Sequence, residues 1–262
     1  MRKACVSGLF YPADGFQLKR MLEGLFSGIK QNGCLAVICP HAGYVYSGKT
    51  AAFAIGSLEK QKTWVILGPN HHGLGHSFAL SLEEWETPLG RVTIDRELAK
   101  KLQLDFLAED KLAHLQEHSI EVILPFLQYR FSGFKFLPIS ILNVDYSEEL
   151  LEKCIKLGEF LTRFEVGLIA SSDFSHYLPA EEAEKADKMA VKAILELDPK
   201  KFFRVLEENQ ISVCGYGPIA CLLAWAKKLG LKAEVLHHSN SGEVTGDFGS
   251  VVTYWAIGFK KT

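Results

Sequence analysis

Short apolar runs alternate with stretches of helical periodicity along this chain. Leu35-Ala36-Val37-Ile38-Cys39, Trp64-Val65-Ile66-Leu67, Phe134 to Ile141 and Val166-Gly167-Leu168-Ile169-Ala170 are of strand length and largely apolar. Such runs suit a sheet covered on both faces. Between them, Ser47 to Leu58 is a helix candidate. Glu117 to Tyr129 carries Ile120, Ile123, Leu124 and Leu127 at helical spacing, with Pro125 as an expected kink or break. Glu181 to Leu197 places Ala186, Ala190, Ala193, Ile194 and Leu197 on one face, and Cys154 falls in a further helical pattern. The strand–helix alternation predicts an α/β fold with a largely parallel central sheet flanked by helices. Ala233 to Phe259 is expected to form strands around a turn region at Ser239 to Gly249, pairing antiparallel at an edge, so the sheet is expected to be mixed. No repeat, low-complexity tract or Pro/Gly/Ser-rich linker interrupts the pattern, and residues 1–262 are expected to form one domain.

Composition narrows the function classes. Apolar residues make up 48% of the 262 and charged residues 23%, enough for a sizeable core. A formal net charge of -2 gives no overall attraction to nucleic acid or anionic lipid. No apolar run approaches the ~20 residues that span a bilayer. Met1 to Cys5 is followed by Gly8, Tyr11, Pro12 and Asp14 rather than by an apolar segment, so no signal peptide is expected and the chain is assigned to the cytoplasm. Six cysteines lie scattered without CxxC spacing; Cys34, Cys39 and Cys154 are expected to be buried, inert thiols.

The chemistry concentrates where strands end. In open α/β sheets, ligands collect beyond the carboxyl ends of the strands. The first strand runs into Pro40-His41-Ala42-Gly43-Tyr44, the second into Gly68-Pro69-Asn70-His71-His72-Gly73, and the Val166–Ala170 strand into Ser171-Ser172-Asp173-Phe174-Ser175-His176. Glu117-His118-Ser119-Ile120-Glu121 is expected at a helix start, and Cys214-Gly215-Tyr216-Gly217-Pro218 precedes another helix. Imidazoles, a thiol and a carboxylate converging from five segments form the ligand set of a transition-metal site. The alternatives are a polar crevice without metal, or one that holds phosphate on its Gly-rich turns. His76, His114, His237 and His238 are assigned ordinary surface, capping or strand-end roles.

These same segments, Pro40 to Gly48, Leu67 to His72, Glu117 to Glu121, Ser171 to Tyr177 and Cys214 to Ile219, resemble the MEMO family, whose prokaryotic members are called AmmeMemoRadiSam system protein B. Gly8-Leu9-Phe10-Tyr11-Pro12, Ser241-Gly242 and Gly246-Asp247 fit as well. The resemblance covers essentially the whole chain. It implies a fold related to class III, LigB-type extradiol dioxygenases, which use non-haem Fe(II). It implies that His41, His71 and Cys214 occupy the metal-ligand positions, that His176 matches the general acid/base histidine, and that Asp173 stands beside it. His72, Glu117, His118 and Tyr44 are expected to line the pocket or orient its ligands. One departure matters: the dioxygenases hold their metal with two His and a carboxylate, whereas Cys214 stands here. A thiolate is softer and shifts preference toward Cu or Zn, so Fe(II) or Cu is expected, Zn is an alternative, and dioxygenase activity does not carry over with the fold.

Two functional readings follow. One is a metal-dependent redox protein or oxidoreductase: two His and one Cys leave coordination positions open, and His176 is placed to move protons. The other is a binding module that holds a peptide or anionic ligand in the same pocket. No Arg or Lys lies inside the five pocket motifs, Lys49 being nearest, which disfavours a phosphopeptide. The resemblance also implies a radical-SAM partner protein; the chain lacks a CxxxCxxC arrangement and is not that component itself.

Overall fold

The computed structural model describes residues 1–261. In chain order the elements are α1 (Gly15–Phe26), β1 (Cys34–Cys39), α2 (Tyr44–Ser57), β2 (Thr63–Pro69), β3 (Phe78–Leu80), β4 (Trp85–Thr87), β5 (Gly90–Ile94), α3 (Arg96–Lys101), β6 (Ala108–Glu109), α4 (Leu124–Arg130), β7 (Lys135–Ile141), α5 (Glu148–Leu161), β8 (Gly167–Ser171), β9 (His176–Leu178), α6 (Ala180–Leu195), α7 (Pro199–Asn209), α8 (Tyr216–Lys228), β10 (Lys232–Asn240), α9 (Gly242–Thr245) and β11 (Val251–Lys260).

The sheet runs β10-β11-β1-β8-β2-β7-β3-β6. Its centre, β1-β8-β2-β7, is parallel throughout. β11 joins β1 antiparallel and carries β10 on its other side, so the carboxyl-terminal hairpin lies at an edge as expected. The sheet is therefore mixed around a parallel core. Parallel strands need cover on both faces because helical crossovers lie on them. β2 is buried at all seven positions and β8 at all five, which is why the sequence shows unbroken apolar runs there. α2, backed by α1 and α4, covers one face, and α8, backed by α5 and α7, the other.

Each helix follows from local chemistry. Asp14 and Ser147 cap α1 and α5 by accepting from Gln17 N (2.8 Å) and Leu150 N (3.3 Å). α8 is buried continuously from Tyr216 to Ala226, so it is apolar all round rather than amphipathic. It crosses α5 at Gly158, where an added Cβ would stand 2.1 Å from the carbonyl oxygen of Cys221.

One predicted element differs. Glu117 and His118 do not begin a helix: they lie in irregular backbone, and only a 3-10 turn at Glu121–Ile123 leads into α4. Pro125 does not kink that helix; it occupies the first turn, where its missing N–H has no partner to lose. The reason the helix starts late is the Glu117 carboxylate, which captures the N–H groups of His71 and Ser119 and holds the chain in a bend.

Carboxyl ends of the central strands are thereby set side by side. Cys39 of β1 pairs with Ser171 of β8, and Leu67 of β2 with Ala170. The turn at Cys214-Gly215 closes onto the same edge, with Gly215 N donating to Ser172 Oγ (2.9 Å) and Asn143, just beyond β7, donating to Cys214 O (2.7 Å). A Cβ on Gly215 would lie 2.2 Å from Ser171 O, so this turn tolerates only glycine. Gly215→Ala is expected to lower stability by about 1–3 kcal/mol through overpacking against backbone, read by urea unfolding.

Candidate metal centre

Four imidazoles face this edge; three are fixed by a hydrogen-bond acceptor on Nδ1, and the fourth, His118, sets its Nδ1 beside a carboxylate. His41 is buried, its Nδ1 2.8 Å from Ser171 Oγ. That hydroxyl gives its own proton to Ser119 O (2.6 Å), so it must accept from His41 Nδ1–H. His71 Nδ1 lies 3.0 Å from Glu117 Oε1, and His118 Nδ1 lies 3.5 Å from the same oxygen. His176 Nδ1 is 3.0 Å from Ser212 O, a carbonyl that only accepts. With the proton placed on Nδ1, the Nε2 lone pair of each ring is left free for another partner. Carboxylate or carbonyl anchoring of this kind is how metal-ligating imidazoles are oriented.

The donor atoms of His41, His71 and His118 lie within 4.8 Å of one another. The rings of His71 and His118 stack at 4.8 Å, and His41 stands edge-on to both at 5.1 and 5.5 Å. Cys214 adjoins this group from the side of His41: its Sγ is 3.3 Å from His41 Nε2 and accepts from Asp173 N at 3.2 Å. His118, assigned above to an orienting role, thus stands as close to His41 and His71 as a ligand would. His72, Glu117 and His118 form a second close group. There the Glu117 oxygens are already taken by His71 N (2.6 Å), Ser119 N (2.8 Å) and the two imidazoles, which makes Glu117 an orienting group. His72 is exposed. Tyr44 sits behind the pocket, donating to Val122 O (2.6 Å) and packing on Tyr11 and Phe126.

Electrostatics favour neutral ring nitrogens and one fixed anion. Burial holds His41 well below the ordinary imidazole value, reinforced by the neighbouring His71, His118 and His176. Burial likewise lowers His118 to about 4, against the pull of Glu117. For Glu117 burial acts upward, but it is outweighed by the hydrogen bond from His71, the imidazole charges and the Ser119 N–H, leaving it at about 2. Asp173 is raised to about 6 by burial, although the His41 backbone N–H (2.8 Å) and His176 oppose this. Burial and the nearby Asp173 push the Cys214 thiol upward, so without a cation it is a thiol whose S–H points at His41 Nε2.

Several supporting residues carried no role in the sequence. Ser171 and Glu121 were visible only as members of motifs, and Ser212 was not singled out. His114, expected at the surface or as a cap, is buried with Nε2 3.0 Å from Ala79 O. Cys34, Cys39 and Cys154 are buried. Lys49, the nearest cation in sequence, turns away to Leu25 O and Ser27 O (3.0 and 3.1 Å). Clefts along α5, α7 and α8 are lined by Lys156, Glu159, Lys200 and Lys227, mix both charges and contain no imidazole.

The fold and this edge define an α/β protein with an imidazole-lined crevice beyond the carboxyl ends of its parallel strands. The family model described as Memo-like protein matches residues 2–258. A MEMO1 family protein of Methanosarcina barkeri is 45% identical over 263 residues, covering 98% of this chain and 99% of the relative. One from Archaeoglobus fulgidus is 42% identical over 262 residues, covering 99% and 100%. One from Thermoplasma acidophilum is 40% identical over 267 residues, covering 98% and 97%. The chain belongs to the Memo-like family. Among the described residues no helix is long and apolar enough to cross a membrane.

The buried imidazoles give stability a pH dependence of definite sign. His118 titrates near 4 in the fold and near the ordinary value of 6.5 when unfolded, so the native state binds fewer protons between these values. Its contribution is complete above about 6.5 and is lost as pH falls toward about 4. Glu117 loses its contribution lower still, from 4.5 toward 2, whereas Asp173 acts oppositely and favours folding as pH drops through 6 toward 3.8. Urea unfolding of His118→Gln between pH 7 and pH 4 is expected to show a shallower loss than the parent, by roughly 3 kcal/mol over the window. Parallel slopes would mean that His118 is not held neutral.

Proposed function

We propose that the pocket holds one redox-active transition-metal ion and that the protein is a metal-dependent oxidoreductase. His41, His71 and Cys214 are the ligands in this reading, with His118 near enough to complete or replace one of them. A single observation carries it: three imidazoles, two of them hydrogen-bonded at Nδ1, present their donor atoms within 4.8 Å of one another, with a thiol 3.3 Å from one of them. The donor set fits such an ion. Imidazole suits Fe, Cu and Zn alike, and thiolate adds preference for Cu or Zn, so Fe(II) or Cu is assigned and Zn is the competing outcome. When bound, the ion would supply a Lewis acid and a one-electron centre, and would favour the thiolate form of Cys214.

This chain's own groups would do the rest. His176, fixed through Nδ1 on Ser212 O, offers Nε2 as the base that takes a proton from a substrate hydroxyl. Asp173 Oδ1 receives the His41 N–H and so sets the position of that ring. A relationship to LigB-type dioxygenases, as the resemblance implies, would agree with two imidazoles and open positions, and would differ in the thiol that replaces a carboxylate. Binding of an anionic peptide is the weaker reading, because Lys49 faces away and Glu117 brings negative charge to the pocket.

Elemental analysis of protein purified without oxygen tests the assignment. About one equivalent of Fe or Cu is expected in the parent and in His176→Ala, near-complete loss in His41→Ala, and at least tenfold weaker binding in Cys214→Ser but not in Cys154→Ser. Electron paramagnetic resonance before and after dithionite should show a one-electron change. Zn alone would overturn the redox part, and no metal in any preparation would overturn the site.

A further inference from the structure

Behind the pocket lies a buried ion pair with no part in the reading above. Arg2 and Glu121 are almost wholly inaccessible, with Nη1 and Oε2 2.7 Å apart. The guanidinium fork is fully used. Nε donates to His114 O (2.6 Å), Nη2 to Glu117 O (2.6 Å) and to Cys5 Sγ (3.2 Å), and the plane lies 4.0 Å over the Trp85 ring. Glu121 accepts in turn from Cys5 N (2.8 Å), Val6 N (3.1 Å) and Tyr11 OH (2.6 Å). The amino-terminal segment is thereby pinned against the turn that carries Glu117 and His118. It brings the Phe10 ring to 4.8 Å from His118, and Phe10 O accepts from Tyr44 N (2.8 Å) three residues beyond His41.

We propose that Arg2 is a positioning residue for the imidazole array, acting through Glu117. Glu117 sits in irregular backbone, so no helix fixes its carboxylate. What fixes it is a set of three bonds at its two ends: Arg2 on its carbonyl, and Ser119 N and His71 N on its side chain. His71 Nδ1 is hydrogen-bonded to that carboxylate (3.0 Å), and His118 Nδ1 faces the same oxygen at 3.5 Å. A fork is needed because two carbonyls and one carboxylate must be met in fixed directions, which the three rotatable donors of a lysine ammonium do not do. The residues that set the outermost edge of the array are thus the first in the chain, 115 positions away from Glu117.

Two readouts test this, and only the second rests on the metal reading. Ring-nitrogen NMR of the metal-free protein at pH 7.5 is expected to show His71 and His118 as single Nδ1-protonated tautomers. In Arg2→Lys both should become tautomer mixtures while His176, anchored on Ser212, stays unchanged. Anaerobic titration with Co(II) should give at least tenfold weaker binding in Arg2→Lys and a changed visible spectrum. Leu161→Ala, a buried truncation at the carboxyl end of α5, controls for lost stability and should alter neither readout. If Arg2→Lys does not fold, Arg2→Met with Glu121→Gln removes both buried charges and is read in the same way. Folded variants with parental tautomers and parental Co(II) affinity overturn the proposal. Absence of Co(II) binding in the parent counts against the metal reading alone, and the tautomer result still decides the role of Arg2.

Discussion

The pocket rests on one constraint: His41, His71 and His176 each have Nδ1 tied to a group that accepts and does not donate back. In water an imidazole exchanges between tautomers and turns freely; here Ser171 Oγ, Glu117 Oε1 and Ser212 O remove that freedom. A single hydrogen bond of this kind contributes only about 1 kcal/mol to stability. Its larger effect is on orientation, since a buried ring whose lone pair pointed elsewhere would leave both its own nitrogen and its anchor unpaired. Ser171 shows how far the constraint propagates: it accepts from His41 only because Ser119 O takes its proton, and Ser119 is held by Glu117.

Charge is arranged around that scaffold with the same economy. His41 and His118 are kept neutral by burial, and Glu117 is kept ionised by donors that remain donors when the rings are neutral. Arg2 and Glu121 add a desolvated pair behind it. Buried pairs contribute little net stability, yet loss of one partner typically costs 3–5 kcal/mol because a naked charge stays inside. Such a pair therefore ties the amino-terminal segment to the pocket wall with a penalty for any misplacement, which suits a positioning role better than a stabilising one.

The sheet explains why these groups meet at all. Parallel order in β1-β8-β2-β7 puts four carboxyl ends on one edge. His41, Asp173, His71 and Asn143 leave from those four ends, and Asn143 reaches back to hold Cys214 in place. Close approach of the Cys214-Gly215 turn to Ser171 O is open only to glycine. The position of the thiol is thus decided by backbone packing as much as by its own hydrogen bonds.

Much of this was legible in the chain. Apolar runs that face buried layers on both sides carry their own signature, so β1, β2, β7 and β8 and the parallel class followed from pattern, and the histidines at their ends marked the crevice. Helical periodicity misled at Glu117: Ile120, Ile123 and Leu124 repeat as a helix would, but the apolar spacing says nothing of a carboxylate that captures His71 N from another loop. Sequence alone determined which residue types stand at the strand ends, because burial and strand length are local properties. Tertiary structure alone decided that His118 joins His41 and His71, that the Cys214 thiol meets His41 from the side, and that Arg2 braces Glu117. Those contacts join residues 47 to 173 positions apart, and no local propensity encodes the direction in which a ring nitrogen points.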